Sequence, residues 1–533
     1  MLLMMTTLTL RHGLLQGRLL RGALIVGPLV LISACGGGDE SNAGFRHILL
    51  ISLDTTRADH IGAYVEGRAA TPQLDALAGQ GVRFADVTAP APTTLASHTS
   101  MMTGTYPHTH GVPRNNHEVH EDNDMLAETL HAAGFHTAGI LGSFALERRF
   151  RFNQGFEHFD EEFNVEVDMG GVDQNQRDAA RVTDAVLYHI DEFGPDEQPM
   201  FLFAHYFDPH LPYDPPADIA QRYTGGRTLP ESTTIVCEHM VVEHQQKTLG
   251  YGIGYRPTLM RGFPRELLDR ADGQPLPTED VIAGLYAGEV TYMDGQIGRL
   301  IDGLEGRGLL DETLIIITGD HGETFWEHPD YWNHGSWVFQ TTIRVPLIMR
   351  FPDGRGAGRV VANPVSTIDV VPTICELLEL ELPERVEGTS LVPAIDGAPF
   401  ERGYVFSEGT QPYDAEKGAQ WKNERKPQCV REGSFKFVNA PYVAGGGYQQ
   451  LFDLAVDPGE QNNLLRGGVS TEHLAIRDRL SERLREFTAA ASPLPVQLNK
   501  TLQDETRERL ESLGYLEPSN ADEDEEELPK EKR

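Results

Sequence analysis

Short apolar runs bounded by turn residues recur along this chain, and amphipathic helical patterns separate them. Several of the runs have little polar alternation, which is typical of strands that are covered on both faces. The clearest predicted strands are His47–Leu53, Ala138–Leu141, Met200–Ala204, Leu314–Thr318 and Val345–Arg350. The predicted helices are Thr71–Gly79, Met125–Ala133, Arg177–Phe193 and Thr278–Gly306. This alternation predicts an α/β fold with a large, mostly parallel or mixed sheet flanked by helices.

A different pattern near the C-terminus predicts a second, smaller unit. Gly433–Val438 and Leu451–Leu454 indicate short strands, and Glu472–Thr488 has the pattern of an amphipathic helix. We expect residues 401–516 to form a smaller C-terminal domain with an antiparallel sheet.

The main domain is predicted to cover residues 45–400, and one stretch interrupts it. Residues 225–277 are rich in Gly, Pro and polar side chains. We interpret them as an insertion that either contributes specificity or only elaborates the surface.

The N-terminal segment has the pattern of an export signal. Basic residues precede the apolar run 23–32, which is shorter than the about 20 residues of a membrane span. The residues before Cys35 resemble a bacterial lipobox, which predicts a signal peptide over 1–34, lipidation of Cys35 and a flexible tether over 35–44. An ordinary cleaved signal with a chance cysteine is the alternative. Either way we expect export, and the lipobox predicts a lipid anchor on a bacterial membrane facing the periplasm or the exterior.

The net charge limits the kinds of binding partner, and the cysteine spacing gives no sign of a cysteine metal site. The chain of 533 residues has a formal net charge of -35, which argues against nucleic acid as a partner because phosphates would be repelled. A bound metal ion can reverse the local field, so a small anionic substrate stays compatible. Residues 517–533 are predicted to be an acidic, disordered tail. Cys237, Cys375 and Cys429 lack metal-type spacing.

Two aspartates have matching positions in the predicted fold. Asp54 and Asp320 each follow directly after a predicted strand. Ligands in open α/β sheets bind outside the carboxyl ends of the strands, which is a reason to pair these carboxylates in one site.

Several segments in a fixed order resemble the sulfatase branch of the alkaline phosphatase superfamily, from about Phe45 to about Leu516. They are the strand and turn His47–Asp59, the helix start Thr71–Asp75, the strand Gly81–Phe84, the segment Thr93–His108 and the strand and turn Leu314–Glu323. The resemblance implies the sulfatase fold and ester hydrolysis at a metal site.

The nucleophile position departs from the sulfatase pattern. Thr94 stands where sulfatases carry the cysteine or serine that becomes formylglycine, and a threonine cannot become that aldehyde. Thr94 is therefore the candidate nucleophile as an unmodified hydroxyl activated by a metal, the alternative being a helix N-cap. Ala96 replaces the motif proline, and His98 replaces the motif arginine and is a candidate to support the nucleophile or the anion.

The resemblance also implies a metal site. Asp54, Asp320 and His321 match metal-binding positions of the family, whereas Thr55 replaces a frequent second aspartate. Carboxylates suit Ca²⁺, Mg²⁺ or Mn²⁺, and the imidazole of His321 adds Zn²⁺ as a candidate.

Two further histidines match segments that contact the substrate in sulfatases. His210 is a candidate general acid or anion contact, since a histidine pKa near neutrality suits proton transfer. His334 occupies a region where sulfatases have a substrate-contacting lysine or histidine. No role is assigned to His108, His110 and His328.

These observations predict an exported, metal-dependent hydrolase of a sulfate or phosphate-type ester, small or polymeric, with Thr94 as nucleophile. The threonine favours phosphorus chemistry, because a threonine ester must be cleaved by water whereas the hydrated aldehyde expels sulfate by collapse. A phospho-group transferase of the same superfamily and a non-catalytic binding protein are the alternatives.

Overall fold

The computed structural model describes residues 44–163, 165–168, 173–194, 198–211, 213–225, 237–241, 255–259, 277–325, 327–328, 334–410, 426–441 and 448–498. The predicted signal peptide, Cys35, the tether before Gly44 and the acidic tail lie outside the described residues. Most of the predicted insertion does too, and its described part includes an antiparallel pair of strands. The domain boundary predicted at residue 401 stays a prediction.

The described elements follow the predicted alternation of strands and helices. The strands are β1 His47–Leu53, β2 Val82–Phe84, β3 Val87–Thr88, β4 His117–Glu118, β5 His136–Ile140, β6 His158–Asp160, β7 Val165–Asp168, β8 Asp173–Gln176, β9 Met200–Tyr206, β10 Cys237–Val241, β11 Tyr255–Leu259, β12 Thr313–Gly319, β13 Arg344–Val345, β14 Leu347–Arg350, β15 Arg359–Val361, β16 Val365–Ser366, β17 Val405–Glu408, β18 Gln428–Glu432, β19 Phe435–Ala440, β20 Tyr448–Asp453 and β21 Gln497–Leu498. The α-helices are α1 Pro72–Gln80, α2 Thr94–Thr103, α3 Pro107–His110, α4 Leu126–Ala132, α5 Ala179–Phe193, α6 Ala217–Thr224, α7 Pro277–Gly306, α8 Gln340–Ile343, α9 Val370–Leu377, α10 Val392–Asp396 and α11 Thr471–Ala490.

A large mixed sheet forms the centre of the described structure, with strand order β15-β2-β14-β12-β1-β9-β5-β6. From β12 to β6 the neighbouring strands are parallel, and β14 is antiparallel to both of its neighbours. The predicted α/β class and the mostly parallel sheet are confirmed.

Both faces of β1 are buried, which explains its continuous apolar sequence. Ile48 and Leu50 pack into the cluster that includes side chains of α2, while Leu49, Ile51 and Leu53 pack with α5 and α7 on the other face. Successive side chains of a strand point to opposite faces, so an unbroken apolar run is what a doubly covered strand requires. Each such burial contributes about 1.5–3 kcal/mol.

The predicted strand Val345–Arg350 is divided in two. Pro346 separates β13, which pairs with β3 in a small sheet, from β14, which pairs in the large sheet. Proline has no N–H to donate to a ladder, so the chain changes sheets at this residue. The Pro346 carbonyl still accepts a bond from Thr318 Oγ1 at 2.9 Å.

The predicted C-terminal antiparallel sheet is confirmed as the order β17-β18-β19-β20. Apolar side chains of α11, among them Leu480 and Leu484, share one buried cluster with Phe437 of β19. None of the helices within the described ranges has the length and apolar character needed to cross a membrane.

Candidate active site

The site is built at the carboxyl ends of two adjacent parallel strands. Leu53 of β1 is in register with Gly319 of β12, so the residues that follow, Asp54 and Asp320, emerge side by side. Asp54, Asp320 and His321 are fully buried, and one ligand atom of each lies within 4.8 Å of the others. The structure thus brings together the three side chains predicted to bind a metal.

The local hydrogen bonds leave particular carboxylate oxygens available. Asp320 Oδ1 accepts the backbone N–H groups of Thr55 at 3.1 Å and His321 at 2.7 Å. Asp320 Oδ2 and Asp54 Oδ1 are buried and have no hydrogen-bond partner among the described residues. Because unpaired buried carboxylate oxygens are costly, this arrangement fits a cation held between them.

The third donor is His321 Nε2. Its ring places Nδ1 3.0 Å from the Gly322 carbonyl, so Nδ1–H donates and Nε2 keeps its lone pair. Burial lowers the pKa of His321 well below its ordinary value, which keeps the imidazole neutral. Two carboxylate oxygens and one neutral imidazole nitrogen are a donor set suited to Mn²⁺, Zn²⁺ or a harder divalent ion.

Burial also acts on the two carboxylates. It raises the pKa of Asp54 to about 8, and burial together with the charge of Asp54 raises the pKa of Asp320 well above its ordinary value. A positive ion between the two groups would reverse this preference and favour both charged forms.

Thr94 lies at the first position of α2 and is fully buried. Its Oγ1 is 3.4 Å from His321 Nε2, so the candidate nucleophile borders the metal-type donors. The N-cap of α2 is Thr93, whose side chain makes no capping bond. The alternative interpretation of Thr94 as a helix cap is therefore wrong.

His98 lies one helical turn after Thr94 in α2. Its Nδ1 is 2.7 Å from the Thr94 carbonyl, so Nδ1–H donates, and its Nε2 accepts from Ser52 Oγ at 2.7 Å. Nδ1 is also 3.5 Å from Asp320 Oδ2. Since both ring nitrogens have partners, the geometry gives His98 a positioning contact with the start of α2.

His334 and His210 extend the site on the side of His321. The ring centroids of His321 and His334 are 4.4 Å apart, and those of His334 and His210 are 5.4 Å apart. Burial opposes charging of His334, but Glu323, 3.3 Å from its Nδ1, raises the pKa of His334 overall. Burial and the neighbouring His334 lower the pKa of His210 to about 3. The structure thus places both predicted histidines next to Asp54, Asp320 and His321, and their pKa values are shifted in opposite directions.

Sequence reasoning missed His205 and Glu323. His205 Nε2–H donates to Asp54 Oδ2 at 3.1 Å, and burial lowers the pKa of His205 to about 3. Glu323 is buried beside His334. Both had a signal in the sequence, namely a polar residue near the end of an apolar strand and a carboxylate in the same turn as Asp320.

The histidines without an assigned role have contacts of a structural kind. His108 Nδ1 is 2.5 Å from Glu408 Oε1, His110 Nε2 is 2.9 Å from Ser100 Oγ, and His328 stacks on an aromatic ring.

Comparison with known proteins decides the family. A family model described as sulfatase matches residues 46–380, and one described as N-sulphoglucosamine sulphohydrolase, C-terminal, matches residues 327–490. The chain belongs to the sulfatase family. It is accordingly an ester hydrolase, and the ester is left open by the comparisons.

Curated relatives of this sulfatase-family chain include named sulfatases and a multifunctional protein. It is 22% identical to an N-acetylglucosamine-6-O-sulfatase of Bacteroides thetaiotaomicron, with 82% of this chain and 86% of the relative covered. It is 24% identical to an arylsulfatase of Clostridium perfringens (79% and 90% covered) and 27% identical to a multifunctional alkaline phosphatase superfamily protein, PehA, of Trinickia caryophylli (79% and 91% covered).

Among solved structures, the phosphonate monoester hydrolase of Agrobacterium radiobacter superposes with a TM-score of 0.64. It is 23% identical, and 84% of this chain and 96% of that chain are covered. This likeness supports the fold of this sulfatase-family protein.

Proposed function

We propose that this sulfatase-family chain is a metal-dependent hydrolase of phosphate-type esters, such as phosphodiesters or phosphonate esters, with Thr94 as nucleophile. The observation that carries the proposal is the position of Thr94 Oγ1, at the start of α2 and 3.4 Å from His321 Nε2. Sulfate esters are the alternative substrates.

The donor set supports a metal in this reaction. Asp54, Asp320 and His321 would hold a divalent cation, whose charge would lower the pKa of the Thr94 hydroxyl and offset negative charge on the substrate oxygens. These three ligands suit Ca²⁺, Mg²⁺, Mn²⁺ and Zn²⁺ alike, so the bound ion must be identified by measuring the metal content of the protein.

The threonine supports phosphorus over sulfur. Thr94 Oγ1, after losing its proton to water, would bond to phosphorus as the bond to the leaving oxygen breaks and that oxygen takes a proton from His334. Water would then hydrolyse the threonine ester, which releases the phosphorus acid and restores the hydroxyl. A formylglycine enzyme releases sulfate by a different step, collapse to the aldehyde, which requires a second hydroxyl on the same carbon. Threonine lacks that hydroxyl.

His334 is the proposed proton donor to the leaving group, and His210 is proposed to accept a hydrogen bond at Nε2 from the substrate or from the attacking water. Glu323 holds His334 through Nδ1, as carboxylates do for histidines that must keep one orientation. His210 donates Nδ1–H to the Leu211 carbonyl at 2.8 Å, which fixes its ring as well. An oriented imidazole with a raised pKa, next to His321, supports proton transfer to a departing oxygen.

The test is a panel of aryl sulfate, aryl phosphate monoester, aryl phosphodiester and aryl phosphonate substrates with the metal-loaded protein. We expect turnover of phosphorus esters, loss of at least about 1000-fold in kcat in Thr94→Ala, and partial activity in Thr94→Ser, which keeps the hydroxyl. His110→Gln, at a buried histidine outside the site, is the matched control for folding.

Outcomes of this panel discriminate the alternatives. Turnover of sulfate esters alone would overturn the preference for phosphorus, and Thr94→Ala with unchanged turnover would overturn the nucleophile. Metal binding without turnover of any ester would support a binding protein. Phosphoryl transfer to an added alcohol in excess of hydrolysis would support a transferase.

We also propose that the protein is exported and anchored through a lipid on Cys35. The support for this proposal is the signal-like sequence before Cys35 and the flexible composition that follows it.

A further inference from the structure

Three histidines meet at the edge of the large sheet that is remote from the active site. His136 begins β5, His158 begins β6 and His189 lies on α5. Their ring centroids are 5.1 Å, 5.2 Å and 5.3 Å apart, so each ring contacts the other two. Three imidazoles from separate elements thus form one cluster.

The contact between His136 and His189 is made by ring nitrogens. Their Nε2 atoms are 3.1 Å apart, and His136 Nδ1 is 3.2 Å from Glu157 Oε2. The carboxylate accepts Nδ1–H, so the lone pair of His136 is on Nε2 and His189 donates to it. Glu157 Oε2 in turn accepts the backbone N–H of Thr137 at 3.2 Å. A histidine that donates one nitrogen to a carboxylate and presents the other has the arrangement of a metal ligand.

We propose that His136, His189 and His158 form a second metal site, selective for a transition-metal ion such as Zn²⁺. Two nitrogens bound to one tetrahedral zinc ion at about 2.0–2.1 Å are separated by about 3.3 Å, close to the observed distance between the two Nε2 atoms. Imidazole ligands favour Zn²⁺, Cu²⁺ or Ni²⁺ over Ca²⁺ and Mg²⁺. His189 would pass its proton from Nε2 to Nδ1, and His158 would turn to complete the set.

The surroundings of the cluster favour the neutral form of the imidazoles, which can bind a metal ion, over the protonated form, which cannot. Burial lowers the pKa of His136, and burial with the neighbouring His136 and His158 lowers the pKa of His189 to about 4. Neutral imidazoles compete for metal without first losing a proton. The acidic groups around the cluster are Glu157 and Asp160, and the exposed His131 has its Nδ1 3.8 Å from Glu157 Oε2.

This site is separate from the proposed catalytic centre. His136 is in register with Met200 at the start of β9, whereas Asp54 follows the residue in register with Tyr206 at the end of β9. Six residues of strand correspond to about 20 Å. A metal here would join β6, the edge strand of the sheet, to β5 and α5, which is a structural rather than a catalytic contribution.

The experiment measures zinc stoichiometry by equilibrium dialysis of the full chain carrying Asp54→Asn and Asp320→Asn, which disable the catalytic donors. We expect about one equivalent of bound Zn²⁺ to remain, and His189→Gln to remove it. Glu157→Gln should weaken binding about 10–100-fold, as is usual for loss of a carboxylate behind a metal-binding histidine. His131→Gln, which contacts the same carboxylate from outside the cluster, is the matched control and should bind as its parent does.

Thermal unfolding gives a second readout. Zinc should raise the unfolding midpoint of the parent and of His131→Gln, and not that of His189→Gln or His158→Gln. Absence of zinc binding in the Asp54→Asn, Asp320→Asn parent would overturn the proposal, as would binding that His189→Gln and His158→Gln both leave unchanged. These outcomes do not depend on turnover, so they are independent of the proposed catalytic function.

Discussion

The buried pair of Lys436 and Glu460 gives the sharpest stability prediction. Both side chains are inaccessible to solvent, and Lys436 Nζ is 2.5 Å from Glu460 Oε1 and also donates to the Val338 carbonyl. Glu460 Oε2 accepts the backbone N–H of Gln340 at 2.6 Å. The pair therefore ties β19 of the small sheet to the segment that follows His334.

Replacing one partner leaves the other charge buried without compensation. Lys436→Met should lower the free energy of unfolding by about 3–5 kcal/mol, and Glu460→Gln by a similar amount. The double variant removes both charges, and its glutamine keeps an amide oxygen for the Gln340 N–H. We expect it to cost only about 1–2 kcal/mol, from the lost charge-assisted hydrogen bonds.

The assay is urea unfolding followed by tryptophan fluorescence and far-ultraviolet circular dichroism, interpreted where the two transitions coincide. The sum of the two single-variant costs, at least about 6 kcal/mol, should exceed the cost of the double variant by at least about 4 kcal/mol. Costs that add within about 0.5 kcal/mol would refute the reasoning. Arg151→Met removes a cation from an exposed pair with Glu121 and should leave the unfolding midpoint unchanged.

Two further predictions follow from single contacts, and a third follows from the sequence before Cys35. His205→Ala removes the donor to Asp54 Oδ2 and should weaken metal binding by about 10–100-fold in equilibrium dialysis, unlike a structural loss that only lowers the unfolding midpoint. Burial opposes charging of His108, but Glu408 raises the pKa of His108 overall. The stability lost in His108→Gln should therefore be largest below about pH 6.5 and should shrink as pH rises through the folded-state pKa of His108. A difference in unfolding free energy between the two proteins that grows with pH would contradict this. Cys35→Ala should abolish incorporation of labelled fatty acid in expressing bacteria, and equal labelling of both proteins would exclude the proposed anchor.

The sequence predicted those residues of the proposed site that lie directly beside a recognisable strand or motif. Asp54 and Asp320 directly follow apolar strands, so local patterns paired them, whereas Thr94 was identified by its position in the segment that resembles the sulfatase nucleophile motif. The structure adds that β1 and β12 are neighbours in register, which brings residues 54 and 320 into contact. That adjacency depends on strand order, which apolar periodicity does not encode.

By itself, the sequence determined the class of fold and the principal elements, because unbroken apolar runs such as His47–Leu53 are stable only as strands covered on both faces. The tertiary structure decided the contacts between distant segments: His205 donating to Asp54, Lys436 pairing with Glu460, and the meeting of the three histidines of the remote cluster. Hydrophobic periodicity indicates whether a residue is buried, whereas the residue that it contacts depends on how the whole chain packs.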